Sequence, residues 1–362
     1  MGANISNIKR EPSLILQFYG KTNSSTNIVG GKSKDDTIDK IIQRPIITKR
    51  HTDFNEDFVA ETNGDDEADI TYKWSQINGR ISYVDAKKYE KKLDINLHLG
   101  QFKLFFTELL FLTKYIKDVS KVLYVGAAAG YHIPKLADLF PNVLFDLWDP
   151  GKFKLEPRKN IKIYNLAFNN ETAKTYASHQ EKMLFMCDIR TLDVARLMAE
   201  SRDNEVDELV EDDMLMQAEW IKIINPVYAY LKFRLPWYSK RSKYLGGTIY
   251  LQPYSPVSTE TRLMTNNYTD YIEYDNTEYD EKMAYFNFKT RIEYKYQRWN
   301  HILEKYKLLD CWDNALSLYI VDYYLRKIHN TYNDDAVGKL YMEIFDFHYN
   351  QFGKKYDVLL KK

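Results

Sequence analysis

The sequence predicts an α/β fold: an open, mostly parallel sheet with helices on both faces, preceded by an N-terminal appendage. Two observations carry that prediction. Residues 121–132, KVLYVGAAAGYH, pass from an apolar strand pattern (Val122, Leu123, Tyr124, Val125) into small residues and then a helical segment, which marks a tight strand-to-helix turn. Strand-like and helix-like runs then alternate, and each strand is followed by a polar residue at its carboxyl end. That is the pattern of a parallel sheet with a site along one edge.

At 362 residues with 44% apolar content, the chain is long enough for one large or two ordinary domains around a substantial core. Its 51 basic and 51 acidic residues cancel, so no global charge announces nucleic acid, and such contact has to be local or partly aromatic. Thirty tyrosines, eighteen phenylalanines and six tryptophans would suit base stacking, although most such rings simply fill half-buried positions. Cys187 and Cys311 are too few for a disulfide framework and lack zinc spacing, which points to a reducing compartment and no metal site. No secretory signal pattern opens the chain, and the most apolar window, 97–116, contains Lys103, Glu108 and Lys114, which argues against a membrane span. The opening Met1-Gly2-Ala3-Asn4-Ile5-Ser6 fits the N-myristoylation pattern, and one acyl chain on Gly2 would give only weak, reversible membrane association.

Residues 1–70 mix short apolar runs with polar stretches and end in an acidic linker, so they read as a partly disordered appendage. The main domain is expected over 71–350 and a basic tail over 351–362. Within 97–117, Phe102, Phe105, Leu109, Leu112 and Ile116 fall at helical spacing, with Lys103 off that stripe. In the turn after residue 125, Gly126 and Gly130 can take dihedrals closed to other residues and leave room for a nucleoside. A helix over 131–140 tolerates Pro134 in its first turn. Residues 143–148 form the next strand, ending at Asp149, where a carboxylate can accept from both ribose hydroxyls or serve as a turn or cap group. Further strands are expected over 161–164, over 182–187 ending at Asp188, over 226–233 ending near Lys232, and over 247–251. Helices are expected over 207–224, 279–306, 314–324 and 336–347.

Several separated segments resemble one family, the poxvirus cap-specific mRNA nucleoside-2′-O-methyltransferase that also serves as the small subunit of the viral poly(A) polymerase. They are Gly100-Gln101-Phe102-Lys103-Leu104, residues 124–133, Asp188-Ile189-Arg190, Asn225-Pro226-Val227 with Leu231-Lys232-Phe233-Arg234, residues 251–256 with Glu260-Thr261-Arg262-Leu263, and 279–283. They keep the family's order over roughly 80–330 with scattered identity, which implies a distant relative from a large DNA virus. The resemblance implies a Rossmann-like S-adenosylmethionine (SAM)-dependent methyltransferase fold. It also implies a host-cytoplasmic location in viral factories, and packaging in the virion is a further expectation.

The family's Lys-Asp-Lys-Glu tetrad falls on Lys103, Asp188, Lys232 and Glu260. A ribose 2′-hydroxyl is a poor nucleophile at neutral pH, so a general base has to take its proton, and a lysine serves only when its pKa is depressed. The resemblance assigns that role to Lys232, with Lys103 as like charge and the two carboxylates positioning the ammonium and ribose. The carboxylates push the lysine pKa the other way, and the sequence leaves the net sign open. Around SAM the resemblance implies Gln101, Tyr124, Gly126, Ala128, Gly130, Asp149 and Asp188, with Phe168 against adenine. Two departures are visible: Ala129 stands where the family has proline, and Asp149-Pro150-Gly151-Lys152 replaces Asp-Gly-Arg, which leaves Lys152 for the basic contact.

For a capped mRNA the family sandwiches a methylated guanine between aromatic rings beside carboxylates. Trp237 falls at one ring, Tyr83 is the candidate for the other, Asp280 falls at one carboxylate, and Ser239 stands at the second. Arg234, Ser258 and Thr259 complete the RNA-facing set. The expected activity is methylation of the first transcribed nucleotide, cap 0 to cap 1. The rivals are a non-catalytic RNA-binding processivity subunit of a viral poly(A) polymerase and a 2′-O-methyltransferase acting on uncapped RNA.

Overall fold

A computed structural model describes residues 70–86, 99–177, 181–191, 203–237, 239–294 and 298–361. Gly2 and all but the last residue of the expected appendage lie outside the described residues. Within them, no helix is long and apolar enough to cross a membrane.

The first long helix, α1 (Gly100–Tyr115), buries the stripe expected of it: Phe102, Phe105, Leu109 and Leu112 are at 0% exposure, while Lys103 is half-buried at the helix start. Then come β1 (Lys121–Val125), α2 (Ile133–Leu139), β2 (Leu144–Trp148), β3 (Ile161–Tyr164), α3 (Asn170–Ala177), β4 (Met183–Cys187), α4 (Asp203–Ile224) and β5 (Tyr228–Phe233). These β-strands are parallel, in the order β3-β2-β1-β4-β5. Two antiparallel strands, β7 (Thr248–Tyr250) and β8 (Thr261–Thr265), extend the sheet beyond β5, with β8 next to β5.

The strand order reverses between β1 and β4, and in open α/β sheets that switch point opens a crevice at the carboxyl ends of the strands. One sheet face carries Tyr124 and Tyr230, whose hydroxyls bond Glu108 and Thr107 of α1. The other carries Trp148, whose indole donates to Tyr176 of α3. Helices therefore cover both faces, as the alternation predicts.

Three strands escape the sequence pattern. β6 (Arg241–Leu245) and β9 (Tyr271–Asp275) pair as a separate antiparallel ribbon, and β8 is fully buried. The single helix expected over 279–306 is broken: α5 (Asn276–Tyr285) runs into a π-helical turn (Phe286–Thr290), and α6 (Asn300–Lys305) follows separately. α7 (Trp312–His329) and α8 (Asp334–Phe352) extend past their expected limits, α7 ending at Asn330 in the left-handed conformation common at helix C-termini. The stretch read as a basic tail folds back as a 3-10 turn, Gly353–Leu359, burying Tyr356 and Leu359 at 1% and 0% exposure.

Candidate active site

The strand ends bring the expected residues to one edge of the sheet. Gly126 follows β1, Asp149 follows β2, Asp188 follows β4, and Lys232 is the penultimate residue of β5. Because β8 runs antiparallel, Glu260 immediately before it lies at the same edge. The start of α1 adds Gln101 and Lys103.

At the switch point the backbones of β1 and β4 nearly touch. Gly126 has φ +81°, and a Cβ there would stand 2.7 Å from the Ile189 nitrogen, so only glycine fits. Gly130 likewise has φ +74°. The Ala128–Ala129 peptide bond is cis. Asp149 ties the turn to its own loop: Oδ2 accepts from the Ala128 amide at 3.1 Å and Oδ1 from the Gly151 amide at 2.6 Å. Burial pushes its carboxyl above the usual range, against those two hydrogen bonds. Each oxygen keeps a lone pair for a ligand hydroxyl.

The remaining donor-side candidates divide. Lys152 is exposed, whereas Phe168 is 8% exposed and packs edge-on against Trp148 and Trp220. Tyr124 is 1% exposed and spends its hydroxyl on Glu108 at 2.6 Å, so its backbone, not its ring, is what it can offer a ligand. The Gln101 amide oxygen accepts from the His132 backbone at 3.3 Å and faces His132 Nδ1 at 2.9 Å.

The tetrad converges. Lys103 Nζ lies 2.8 Å from Glu260 Oε1, and Lys232 Nζ lies 3.0 Å from Asp188 Oδ1 and 3.8 Å from Glu260 Oε2. Two arginines that sequence reasoning left out complete the cluster. Arg262, fully buried, reaches Asp188 Oδ1 at 2.8 Å and Glu260 Oε1 at 3.5 Å, and Arg190 reaches Glu260 Oε2 at 2.8 Å. Period-two spacing from Glu260 was the signal for Arg262, since alternate strand residues share a face. The Lys232 backbone is pinned to Gln217 of α4 at 3.0 and 3.2 Å.

Burial opposes ionisation of both carboxyls, but the surrounding cations outweigh it. Lys232, Arg262 and Lys103 hold Asp188 below its ordinary range, and Lys103, Lys232, Arg262 and Arg190 hold Glu260 well below. Burial lowers the Lys103 pKa, with Glu260 opposing and Arg262 and Lys232 reinforcing. Four cations thus share two carboxylates, with Asp213 as a third at 4.0 Å from Arg190.

Past Lys232 the chain builds a second surface. The Arg234 guanidinium lies 3.8 Å from the Trp237 ring centre and pairs with Asp207, so one face of the indole is already covered. The Trp237 indole nitrogen donates to Thr259 Oγ1 at 3.2 Å. Ser258 Oγ accepts from the Glu260 amide at 3.3 Å, and Thr259 is 1% exposed. These two hydroxyls therefore brace Trp237 and Glu260 within the protein. Asp280 of α5 is 1% exposed with Oδ1 unpartnered among the described residues, and burial raises its pKa well above the ordinary carboxylate value. Tyr83 opens a single helical turn, Tyr83–Ala86, and its side chain lies outside the described residues; Ser239 is exposed.

Residues 69–347 match the family described as Poly A polymerase regulatory subunit. The chain belongs to that family. The chain is similar to a Fowlpox virus (strain NVSL) protein named cap-specific mRNA (nucleoside-2′-O-)-methyltransferase, 28% identical over 242 residues, covering 58% of this chain and 76% of the relative. A Myxoma virus (strain Lausanne) protein of the same name is 27% identical over 239 residues, covering 59% and 68%. The chain thus has the mostly parallel α/β sheet and the viral relatives that its motifs lead one to expect.

Proposed function

We propose that this chain transfers a methyl group from SAM to the ribose 2′-oxygen of the first transcribed nucleotide of capped mRNA, cap 0 to cap 1, with Lys232 as general base. The observation that carries the proposal is the convergence of Lys103, Asp188, Lys232 and Glu260 beside the Gly126 turn. The names of the Fowlpox and Myxoma virus relatives support the same reaction class.

The donor side suits SAM. Gly126 lets the turn after β1 close against the Asp188–Ile189 backbone without a side chain in between, and Asp149 offers carboxylate lone pairs suited to ribose hydroxyls. Gln101, Ala128, Gly130, Lys152, Phe168 and the backbone of Tyr124 complete the assigned set. When bound, SAM supplies an electrophilic methyl.

Lys232 joins the two halves. Its ammonium reaches Asp188 at the donor turn, and its own strand continues into Arg234 and Trp237. Burial, with Arg262 and Lys232 reinforcing, lowers the pKa of Lys103 beside it. Acting as base, Lys232 takes the 2′-hydroxyl proton as the oxygen attacks, and Asp188 and Glu260 lie within reach of the charge it gains. Trp237 stacks the methylated guanine on the face that Arg234 leaves free, and Asp280 accepts from the base edge.

The family's description also supports a poly(A) polymerase catalytic subunit as a partner of the same chain. The test is transfer from labelled SAM to matched capped and uncapped RNA, with the product mapped by resistance of the methylated linkage to alkali. Methylation of the first nucleotide of capped RNA is expected. Equal transfer to uncapped RNA overturns cap dependence, and an absence of transfer alongside co-purification with a polymerase favours the processivity subunit.

A further inference from the structure

Under the donor turn lies a buried polar chain that the proposed reaction does not use directly. His132, just past the turn, is 1% exposed, and Glu108 of α1 is 0% exposed. Their side chains meet at 2.8 Å between Nε2 and Oε2, and the other Glu108 oxygen accepts from Tyr124 of β1 at 2.6 Å. On its far side His132 Nδ1 faces Gln101 Oε1 at 2.9 Å. The chain Tyr124-Glu108-His132-Gln101 therefore links α1, β1 and the residue that follows the turn.

The amide orientation follows from chemistry. The His132 backbone N–H, which can only donate, also points at Gln101 at 3.3 Å, so the Gln101 atom there has to be oxygen. His132 Nδ1 then has to carry a hydrogen, and one proton is shared between Nε2 and Glu108. Tyr124 fills the remaining Glu108 oxygen. With its oxygen doubly occupied, half-buried Gln101 keeps its NH2 group free of partners among the described residues. An amide held this way presents donors only, so it selects a carboxylate and rejects an ammonium.

We propose that the Glu108–His132 pair is a positioning device that locks Gln101 as a hydrogen-bond donor to the carboxylate of the amino-acid portion of the methyl donor. The proposal rests on the SAM reading of this turn. His132 and Glu108 are positioning residues: they act through Gln101 without touching the ligand.

Calorimetry with two ligands tests it. S-adenosylhomocysteine carries the amino-acid portion, and 5′-methylthioadenosine lacks it. His132→Phe should weaken S-adenosylhomocysteine at least tenfold, leave methylthioadenosine within twofold, and be largely rescued in His132→Asn, whose amide can donate from near the Nδ1 position. Gln101→Glu, with the pair intact, should show the same selective loss and serves if His132→Phe does not fold. Equal weakening of both ligands, or no weakening of either, overturns the positioning role. A wild-type chain that binds neither ligand overturns the SAM reading itself, and this inference with it.

Discussion

Lys232 and Arg262 stand directly opposite each other on β5 and β8, and both reach the same oxygen, Asp188 Oδ1, at 3.0 and 2.8 Å. Like charges opposed across a ladder repel, so the strand pair that carries the proposed base depends on a carboxylate from a third strand.

Asp188→Asn should therefore cost both stability and activity. Breaking a buried ion network by removing one partner costs about 3–5 kcal/mol. Urea unfolding should show a loss of that order, and methyl transfer should fall with it. Adding Arg262→Met removes the repulsion, so the double variant should regain most of the stability without regaining transfer. Additive losses would mean that Asp188 does not mediate between the two cations.

Trp237→Ala should weaken a cap analogue by roughly 1–3 kcal/mol, the range for loss of one stacking ring, and Trp237→Phe should lose less. Calorimetry against cap analogue, with S-adenosylhomocysteine as a control that should not change, measures it. Unchanged cap affinity in the alanine variant would remove Trp237 from the cap site.

Asp280 carries a stability cost at neutral pH, because burial raises its carboxyl pKa well above the range it has in the unfolded chain. Below the unfolded pKa near 4, both states are protonated and the cost vanishes; it grows as pH rises toward the folded value. Asp280→Asn should accordingly melt higher at pH 7.5, by on the order of 1 kcal/mol, and show little gain at pH 4. The same variant should bind cap analogue more weakly. A gain that is independent of pH would show that the charge is not the source of the cost.

The His348 ring is fully buried among aromatic rings, with Nδ1 bonded to the Ile344 carbonyl at 2.8 Å and Nε2 unpartnered among the described residues. Burial lowers its pKa to about 3. The unfolded chain takes up this proton first, so the stability it protects is complete above pH ~6.5 and is lost as pH falls toward the folded value, by at most about 1.4 kcal/mol per unit. Asp188 and Glu260, with lowered pKa values, begin to surrender their contribution only below about pH 4.5, and the raised carboxyls such as Asp280 and Asp149 contribute alike to both proteins, so the difference between wild type and variant from about pH 6.5 to 4.5 reports His348. His348→Phe should lose less stability across that window in urea titrations at stepped pH. Parallel curves for the two proteins would contradict the assignment.

What the sequence made legible follows from which patterns are local. The parallel core could be read from 121–132 and from the apolar runs ending at Asp149 and Asp188, because buried strands between turn residues look alike wherever they occur. β8 was hidden by Arg262, a charge inside a buried strand, which makes sense only once Asp188 and Glu260 come from elsewhere to neutralise it. The 279–306 segment kept helical spacing through its π-helical turn, so its break could not be read from periodicity. Glu108 was legible merely as a charge unsuited to a membrane span. Its place on the apolar face of α1, three residues after Phe105, was the signal that a buried partner had to exist, and that partner is His132.

Lys232→Ala offers the most direct test of the central claim. The variant should bind S-adenosylhomocysteine and cap analogue as the wild type does, because Gly126, Asp149, Trp237 and Asp280 remain in place. Single-turnover transfer from labelled SAM to capped RNA should fall about 100-fold or more, the contribution of a positioned general base. Transfer within tenfold of wild type, with both ligands bound, would contradict Lys232 as the base.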